Sequence, residues 1–187
     1  MHPLVEAAGR EGKLPGWAVC SERRRDHVDR VRELIGGWAA ELDVAETERV
    51  RWKAAAVLHD ALRDAPPETL RDEVEGDWPD PVLHAPACAE RLRGEGVEDE
   101  ELLHAITYHP LGHPEFGDLG SYLYLADFLD PGRSFLTGAR KRLRAIVPAE
   151  TDEALMSVIA LRLARRLEVR GAIRSETVTW WNELVGT

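Results

Sequence analysis

His59 and Asp60 stand side by side inside the run KAAAVLHDAL, where almost every flanking residue is apolar. An imidazole and a carboxylate drawn into such a stretch need a partner, because an unpaired buried charge is costly or shifts its pKa until it neutralises. A metal ion meets that need. Asp127 repeats the anomaly inside YLYLADFL, a second apolar stretch, and two buried acids in two central helices point to one shared site. His27 joins them from a stripe with Val31, Leu34, Ile35, Trp38 and Leu42, the spacing of the core-facing side of an amphipathic helix. His84 and His109 supply a candidate second site. The first precedes APACAERL, with Pro86 near the first helical position, and the second closes LLHAITYH immediately before Pro110. The candidate ligands are therefore His27, His59, Asp60, His84, His109 and Asp127, using four of the seven histidines.

Helices must position these groups, since no stretch of useful length alternates strictly between apolar and polar residues. The reading is all-α, with helices over 21–42, 46–63, 67–74, 86–94, 99–109, 118–130, 135–146, 151–170 and 175–184. Ser21, Thr151 and Ser175 are candidate N-caps, Asp99 opens DEELLHAI with acids in its first turn, and Pro66, Pro79, Pro81, Pro110 and Pro131 punctuate the connections. In the segment 46–63, Val50, Ala54, Val57, Leu58, Ala61 and Leu62 leave no wholly polar face, so this helix is central. Consecutive helical positions are about 100° apart. His59 and Asp60 can therefore reach different sides of one ion, and the carboxylate can bridge two.

The chain of 187 residues favours one domain with a real hydrophobic core. Its 44% hydrophobic and 31% charged content is ordinary for a globular protein, and no apolar run approaches the roughly 18–20 residues of a membrane span. The N-terminus lacks the basic start and apolar centre of a secretion signal, which makes the cytoplasm the expected compartment. Cys20 and Cys88 are too few and too far apart for a disulfide framework or a thiolate zinc site and read as small buried residues. A net charge of -10 argues against binding a nucleic acid polymer, yet it leaves room for a nucleotide substrate, because bound divalent ions with a few arginines make a locally positive pocket. Elsewhere, His104 reads as structural and His2 as a disordered terminal residue. Trp38, Trp52, Trp78, Trp180 and Trp181 read as packing residues, with Tyr122 and Tyr124 beside Asp127. Arg140, Lys141, Arg142 and Arg144 read as a solvated helix face.

RRDH at Arg24–His27, LHDALRD at Leu58–Asp64, LHAPACA at Leu83–Ala89, AITYHPLG at Ala105–Gly112 and YLADFLDPGR at Tyr124–Arg133 together resemble the HD-domain metal-dependent phosphohydrolases. Within them the resemblance is to the YqeK-like symmetrical bis(5'-nucleosyl)-tetraphosphatase branch, and it runs from about residue 20 through TVTWWNEL, Thr177–Leu184. It implies an HD-domain helical bundle with a metal-binding core over about 20–146 and C-terminal helices over 147–187 packed on it. It also implies two divalent metals, symmetrical cleavage of diadenosine tetraphosphate into two ADP, and a homodimer. Carried over by motif, His27, His59, Asp60 and Asp127 hold one ion, while Asp60, His84 and His109 hold the other. Arg133 follows the matched DPGR and is expected to neutralise phosphate, with Arg24 and Arg63 as further candidates and Asp64 as a helper that positions water. The chain departs from the family where Arg63 replaces Lys, Pro110 and Leu111 replace a hydroxyl-bearing pair, and Ser121 replaces Lys. His113 stands where the family often has Arg or Lys and substitutes for a lost cation when protonated.

The mixed imidazole and carboxylate set suits transition metals, with iron or manganese expected first. The expected chemistry is two-metal hydrolysis of a nucleotide phosphoanhydride. Three alternatives share the ligand set: a phosphohydrolase of another nucleotide or phosphate ester, an HD-type diiron oxygenase, and a non-catalytic metal- or nucleotide-binding module.

Overall fold

Helices carry the whole architecture, as the sequence periodicity requires. The computed structural model describes residues 1–186, and no strand occurs among them. The α-helices are α1 (Pro3–Glu11), α2 (Glu22–Glu41), α3 (Glu46–Leu58), α4 (His84–Gly94), α5 (Glu100–Tyr108), α6 (Asp118–Leu129), α7 (Thr137–Ile146), α8 (Thr151–Glu168) and α9 (Ser175–Leu184). Short 3₁₀ turns over Pro67–Thr69 and Arg71–Glu73 replace the regular helix expected across 67–74, and a third turn covers Asp80–Val82. None of the helices among the described residues is long and apolar enough to cross a membrane.

α6 is the axis. Leu119, Leu123, Leu125, Ala126 and Leu129 are all buried, together with Tyr122, Tyr124 and Asp127, so this helix is enclosed on every side. It packs against α2, α3, α5, α7 and α8, while α9 lies on α8. α3 is the second enclosed element, with Val50, Trp52 and the run Ala54–Leu58 buried. α6 carries Asp127, and the turn that ends α3 carries the buried His59–Asp60 pair.

Several boundaries differ from the sequence reading for physical reasons. α3 stops at Leu58, and residues 59–65 continue as tight turns with N–H groups donating three residues back: Ala61 to Leu58, Arg63 to Asp60 and Ala65 to Leu62. Thr151 and Ser175 are first helical residues, with Glu150 and Arg174 at the caps. Asp99 does cap α5, its carboxylate accepting from the Leu102 N–H at 3.1 Å. α1 was not expected. His2 is its N-cap, with Nδ1 accepting from the Leu4 N–H at 3.3 Å and Pro3 at the first position, so this residue is ordered rather than frayed. Gly9 lets α1 lie directly on α3, since a Cβ there would fall 2.2 Å from the Val50 carbonyl oxygen.

The basic run in α7 is also corrected. Arg140 is buried and donates to the Phe128 carbonyl, and Arg144 donates to the Leu129 carbonyl at 2.6 Å. Both close the C-terminal end of α6, whose last carbonyls lack intrahelical donors. The tryptophans pack as expected: Trp52 stacks on Tyr122 at 4.7 Å between centroids, and Trp180 meets Tyr124 edge-on at 4.9 Å. Tyr122 belongs to that cluster and bonds Thr151 through its hydroxyl, whereas Tyr124 stays near Asp127 through the Arg162 guanidinium over its ring. Cys88 is buried and Cys20 half-buried, both as free thiols.

Candidate metal centre

Asp60 lies at the centre of four imidazoles. Its Oδ2 faces Nε2 of His27 at 3.6 Å and of His59 at 3.5 Å, and its Oδ1 faces Nε2 of His84 at 3.1 Å and of His109 at 3.5 Å. One carboxylate thus turns one oxygen to each pair. Two groups have ligand atoms within 4.8 Å of one another: His27, His59 and Asp60, and Asp60, His84 and His109. Asp127 approaches the first from α6, with Oδ1 3.3 Å from His27 Nε2.

Local structure fixes how the rings point. His59 ends α3 and its Nδ1 donates to the Ala56 carbonyl at 2.7 Å; His109 ends α5 and donates in the same way to Ile106 at 2.8 Å. Each ring therefore satisfies a carbonyl three residues back, at a helix terminus that needs donors. His27 pairs Nδ1 with Asp130 Oδ2 at 2.8 Å, and Arg30 holds that carboxylate through Nε at 2.6 Å. Fixing the outer nitrogen by a carbonyl or carboxylate is how ligating histidines are oriented. The inner Nε2 atoms of His27, His59 and His84 are buried and make no hydrogen bond. Buried nitrogens without partners, converging on a carboxylate, fit a divalent cation.

The electrostatics agree at His59 and His84. Burial pushes His59 down to about 3 and His84, despite the opposing pull of Asp60, down to about 4. Both are neutral ligand forms at neutral pH. At His27 burial opposes protonation, but the Asp127 and Asp130 carboxylates facing its two nitrogens outweigh it and raise the ring to about 9. Asp60 and Asp127 are held well below the usual carboxylate range against burial, Asp60 by the surrounding histidines and Asp127 by His27, Arg133 and Arg162.

Arg24 from α2 reaches Asp60 Oδ2 with Nη1 at 2.7 Å. Asp64 anchors the start of that helix, accepting from the Ser21 N–H at 2.9 Å and the Ser21 hydroxyl at 2.6 Å, with Arg24 Nε 3.7 Å away. Ser21 thus spends its hydroxyl on Asp64 rather than on its own helix. Arg63 is half-buried and its positive charge opposes protonation of His84. Arg133 donates to Asp127 Oδ1 at 2.7 Å. His113 lies in a different cluster, its ring against His104 and Tyr108. Sequence reasoning missed Arg162, which donates to Asp127 Oδ2 at 2.9 Å and to the Pro110 carbonyl at 3.0 Å. It also read Asp130 only as part of a motif. The arginine on α8 carries no local signal, while the acid is conspicuous only in its LDPGR context.

A helical bundle in which α2, α4 and the ends of α3 and α5 bring four imidazoles around one shared carboxylate is a histidine-aspartate metal scaffold. The sequence profile of the HD domain family matches residues 24–132, and the chain belongs to that family. This membership implies dependence on a divalent metal, and the donor set above fits one. Proteins named symmetrical bis(5'-nucleosyl)-tetraphosphatase from Halalkalibacterium halodurans and Bacillus subtilis are each 27% identical over 168 residues, covering 83% of this chain and 89% of theirs. A Staphylococcus aureus protein of the same name is 31% identical over 60% of this chain and 61% of its own. A crystal structure from Clostridium acetobutylicum, described as a predicted HD superfamily hydrolase involved in NAD metabolism, shares the fold. Its TM-score is 0.78 at 24% identity, covering 88% of this chain and 90% of that one.

Proposed function

We propose that the chain is a dinuclear-metal phosphohydrolase cleaving a nucleotide phosphoanhydride, with diadenosine tetraphosphate split symmetrically into two ADP. The observation that carries this reading is the Asp60 carboxylate, which faces two imidazoles with each oxygen. In this reading His27, His59, Asp60 and Asp127 hold one ion and Asp60, His84 and His109 the other, with iron or manganese as the metals. Such ions supply Lewis acidity toward phosphoryl oxygens and activate water as the nucleophile.

The remaining residues orient and neutralise. Asp130 fixes the His27 ring, and the Ala56 and Ile106 carbonyls fix His59 and His109. Arg24 and Arg133 already contact the two central acids, so either can turn a guanidinium toward phosphate when substrate competes for it. Arg63 beside His84 is the cation best placed to meet the second half of a polyphosphate. Asp64 sets the position of Arg24 through the start of α2 and helps orient water. His113 is the weakest of the proposed substrate contacts, because its ring packs on His104 and Tyr108. The cytoplasmic location, the single-domain organisation and the homodimer expected from the sequence belong to the same reading.

The named activity of the three relatives supports the choice of substrate. A second reading, hydrolysis of another nucleotide, rests on Pro110 and Leu111. They offer backbone carbonyls to Arg162 and Thr177 where the family offers hydroxyls. The experiment is product chromatography after incubating Mn(II)- or anaerobic Fe(II)-reconstituted protein with diadenosine tetraphosphate. ADP as sole product is expected. AMP with ATP refutes the symmetry, and no turnover by protein holding two metals moves the proposal to the second reading.

A further inference from the structure

A second set of ligand-type side chains sits outside the Asp60 centre. His104 lies on α5, and His113 and Glu115 lie in the segment joining α5 to α6; their ligand atoms fall within 4.8 Å of one another. His104 and His113 meet edge-on, with ring centroids 4.5 Å apart and planes at 87°. We propose that His104, His113 and Glu115 form a third metal site, for a zinc-class divalent ion, that fastens the segment following His109 to α5. This inference does not rest on the reading of the Asp60 centre.

The convergence of the three side chains carries the argument. The His113 Nδ1 accepts from the Glu115 N–H at 3.2 Å, so that nitrogen is unprotonated and its lone pair points to the Glu115 side of the ring. The same nitrogen faces Glu115 Oε2 at 4.0 Å. An imidazole nitrogen and a carboxylate oxygen at that separation can share one cation, whose bond would replace the backbone hydrogen bond at Nδ1. Burial and the neighbouring His113 lower the pKa of His104, which keeps its ring neutral and its own lone pair free. Two bonds of about 2.0–2.2 Å to zinc span at most about 4.4 Å, so a small turn of the exposed Glu115 closes the set. Two imidazoles and one carboxylate are borderline-soft donors, suited to zinc, cobalt or nickel rather than to magnesium or calcium.

The surroundings favour a cation and disfavour an anion. His104 and Glu115 line a surface pocket of about 350 Å³ together with Glu100 and Glu101. Those two acids are already engaged, Glu100 by Arg93 at 2.7 Å and Glu101 by Arg51 at 2.9 Å, which leaves Glu115 as the carboxylate turned to the imidazoles. Phe116 closes the cluster against His104 edge-on at 5.6 Å. An ion here would tie α5 to the chain four residues beyond His109, without touching the central ligands.

The test is zinc content per chain after equilibrium dialysis, measured for the full-length wild type, H104Q/H113Q, D60N and the combined triple variant. The expected result is one equivalent fewer in H104Q/H113Q than in the wild type, with the same difference between D60N and the triple variant. E115Q, a change at an exposed position, is expected to keep the fold by circular dichroism and to weaken binding of that equivalent. Equal zinc in both pairs overturns the third site, whatever D60N does to the central one. A difference that survives in the D60N background supports it even if the central reading fails.

Discussion

Gly112→Ala tests how the C-terminal helices hold the segment that leaves the metal centre. Gly112 sits at φ +78°, three residues beyond His109, and a Cβ there would lie 2.3 Å from Cε3 and Cζ3 of Trp180 and 3.3 Å from Tyr124 Cε2. Trp180 is buried and belongs to α9, so the indole cannot swing into solvent without undocking that helix. A left-handed backbone costs a residue with a Cβ about 1–2 kcal/mol. Forcing volume into packed surroundings costs a further ~1–3 kcal/mol. The sum is roughly 2–5 kcal/mol, and at about 2–4 °C per kcal/mol for a chain of this size the melting temperature falls by roughly 4–20 °C. Thermal unfolding followed by circular dichroism at the helical band reads this directly. Gly37→Ala is the control: it is exposed on α2 with nothing within 4 Å of the added carbon, and the change is expected to stabilise by about 0.5–1 kcal/mol. A Gly112→Ala protein melting within a degree or two of the wild type would falsify the claim that α9 clamps this segment.

Asp60→Asn keeps the volume but removes the charge shared between the two pairs of imidazoles, so metal content after dialysis is expected to collapse at both pairs; retention of wild-type content refutes the shared carboxylate. Asp130→Ala leaves His27 Nδ1 without its acceptor and frees Arg30, and metal affinity measured by competition with a chelator is expected to fall about 10–100-fold. An unchanged affinity would show that the Asp130 contact does not orient the ring. In metal-free protein, His59 and His84 have folded pKa values near 3 and 4 against 6.5 unfolded, so they bind fewer protons folded than unfolded between these limits. Their stabilising effect is complete above about pH 6.5 and is lost as pH falls toward 4. His27 has the opposite sign: raised to about 9, it stabilises fully below 6.5 and loses that contribution as pH rises through 9. Urea unfolding across pH after chelation should therefore show stability declining on both sides of neutrality, and a flat profile from pH 4 to 9 contradicts both assignments.

The ligand set was legible because each member breaks a local pattern: an acid in YLYLADFL or a His-Asp pair in KAAAVLHDAL is conspicuous against apolar neighbours. Helical class and most helix positions followed from the same periodicity. What stayed hidden depends on distant partners. Arg162 reaches Asp127 from thirty-five residues away, and Asp130 meets His27 across one hundred and three. Arg140 looked solvated because sequence does not reveal that the α6 carbonyls of Phe128 and Leu129 end without donors. α1 escaped notice because a histidine is an uncommon cap and the helix is only nine residues long. His104 and His113 were assigned separate roles, since their meeting depends on how the segment after Pro110 folds back on α5.

His59 and His109 each give an outer ring proton to the carbonyl three positions earlier. Helix termination and tautomer choice are thereby the same event in this protein: the chain cannot end α3 or α5 in this manner without also turning a bare nitrogen inward. The interior then resembles a macrocyclic chelator more than a flexible one, with donor directions set before any ion arrives. Discrimination among ions falls to the size and coordination preference that match a fixed aperture. At His59, neutral well below physiological pH, the ion displaces no proton as it enters.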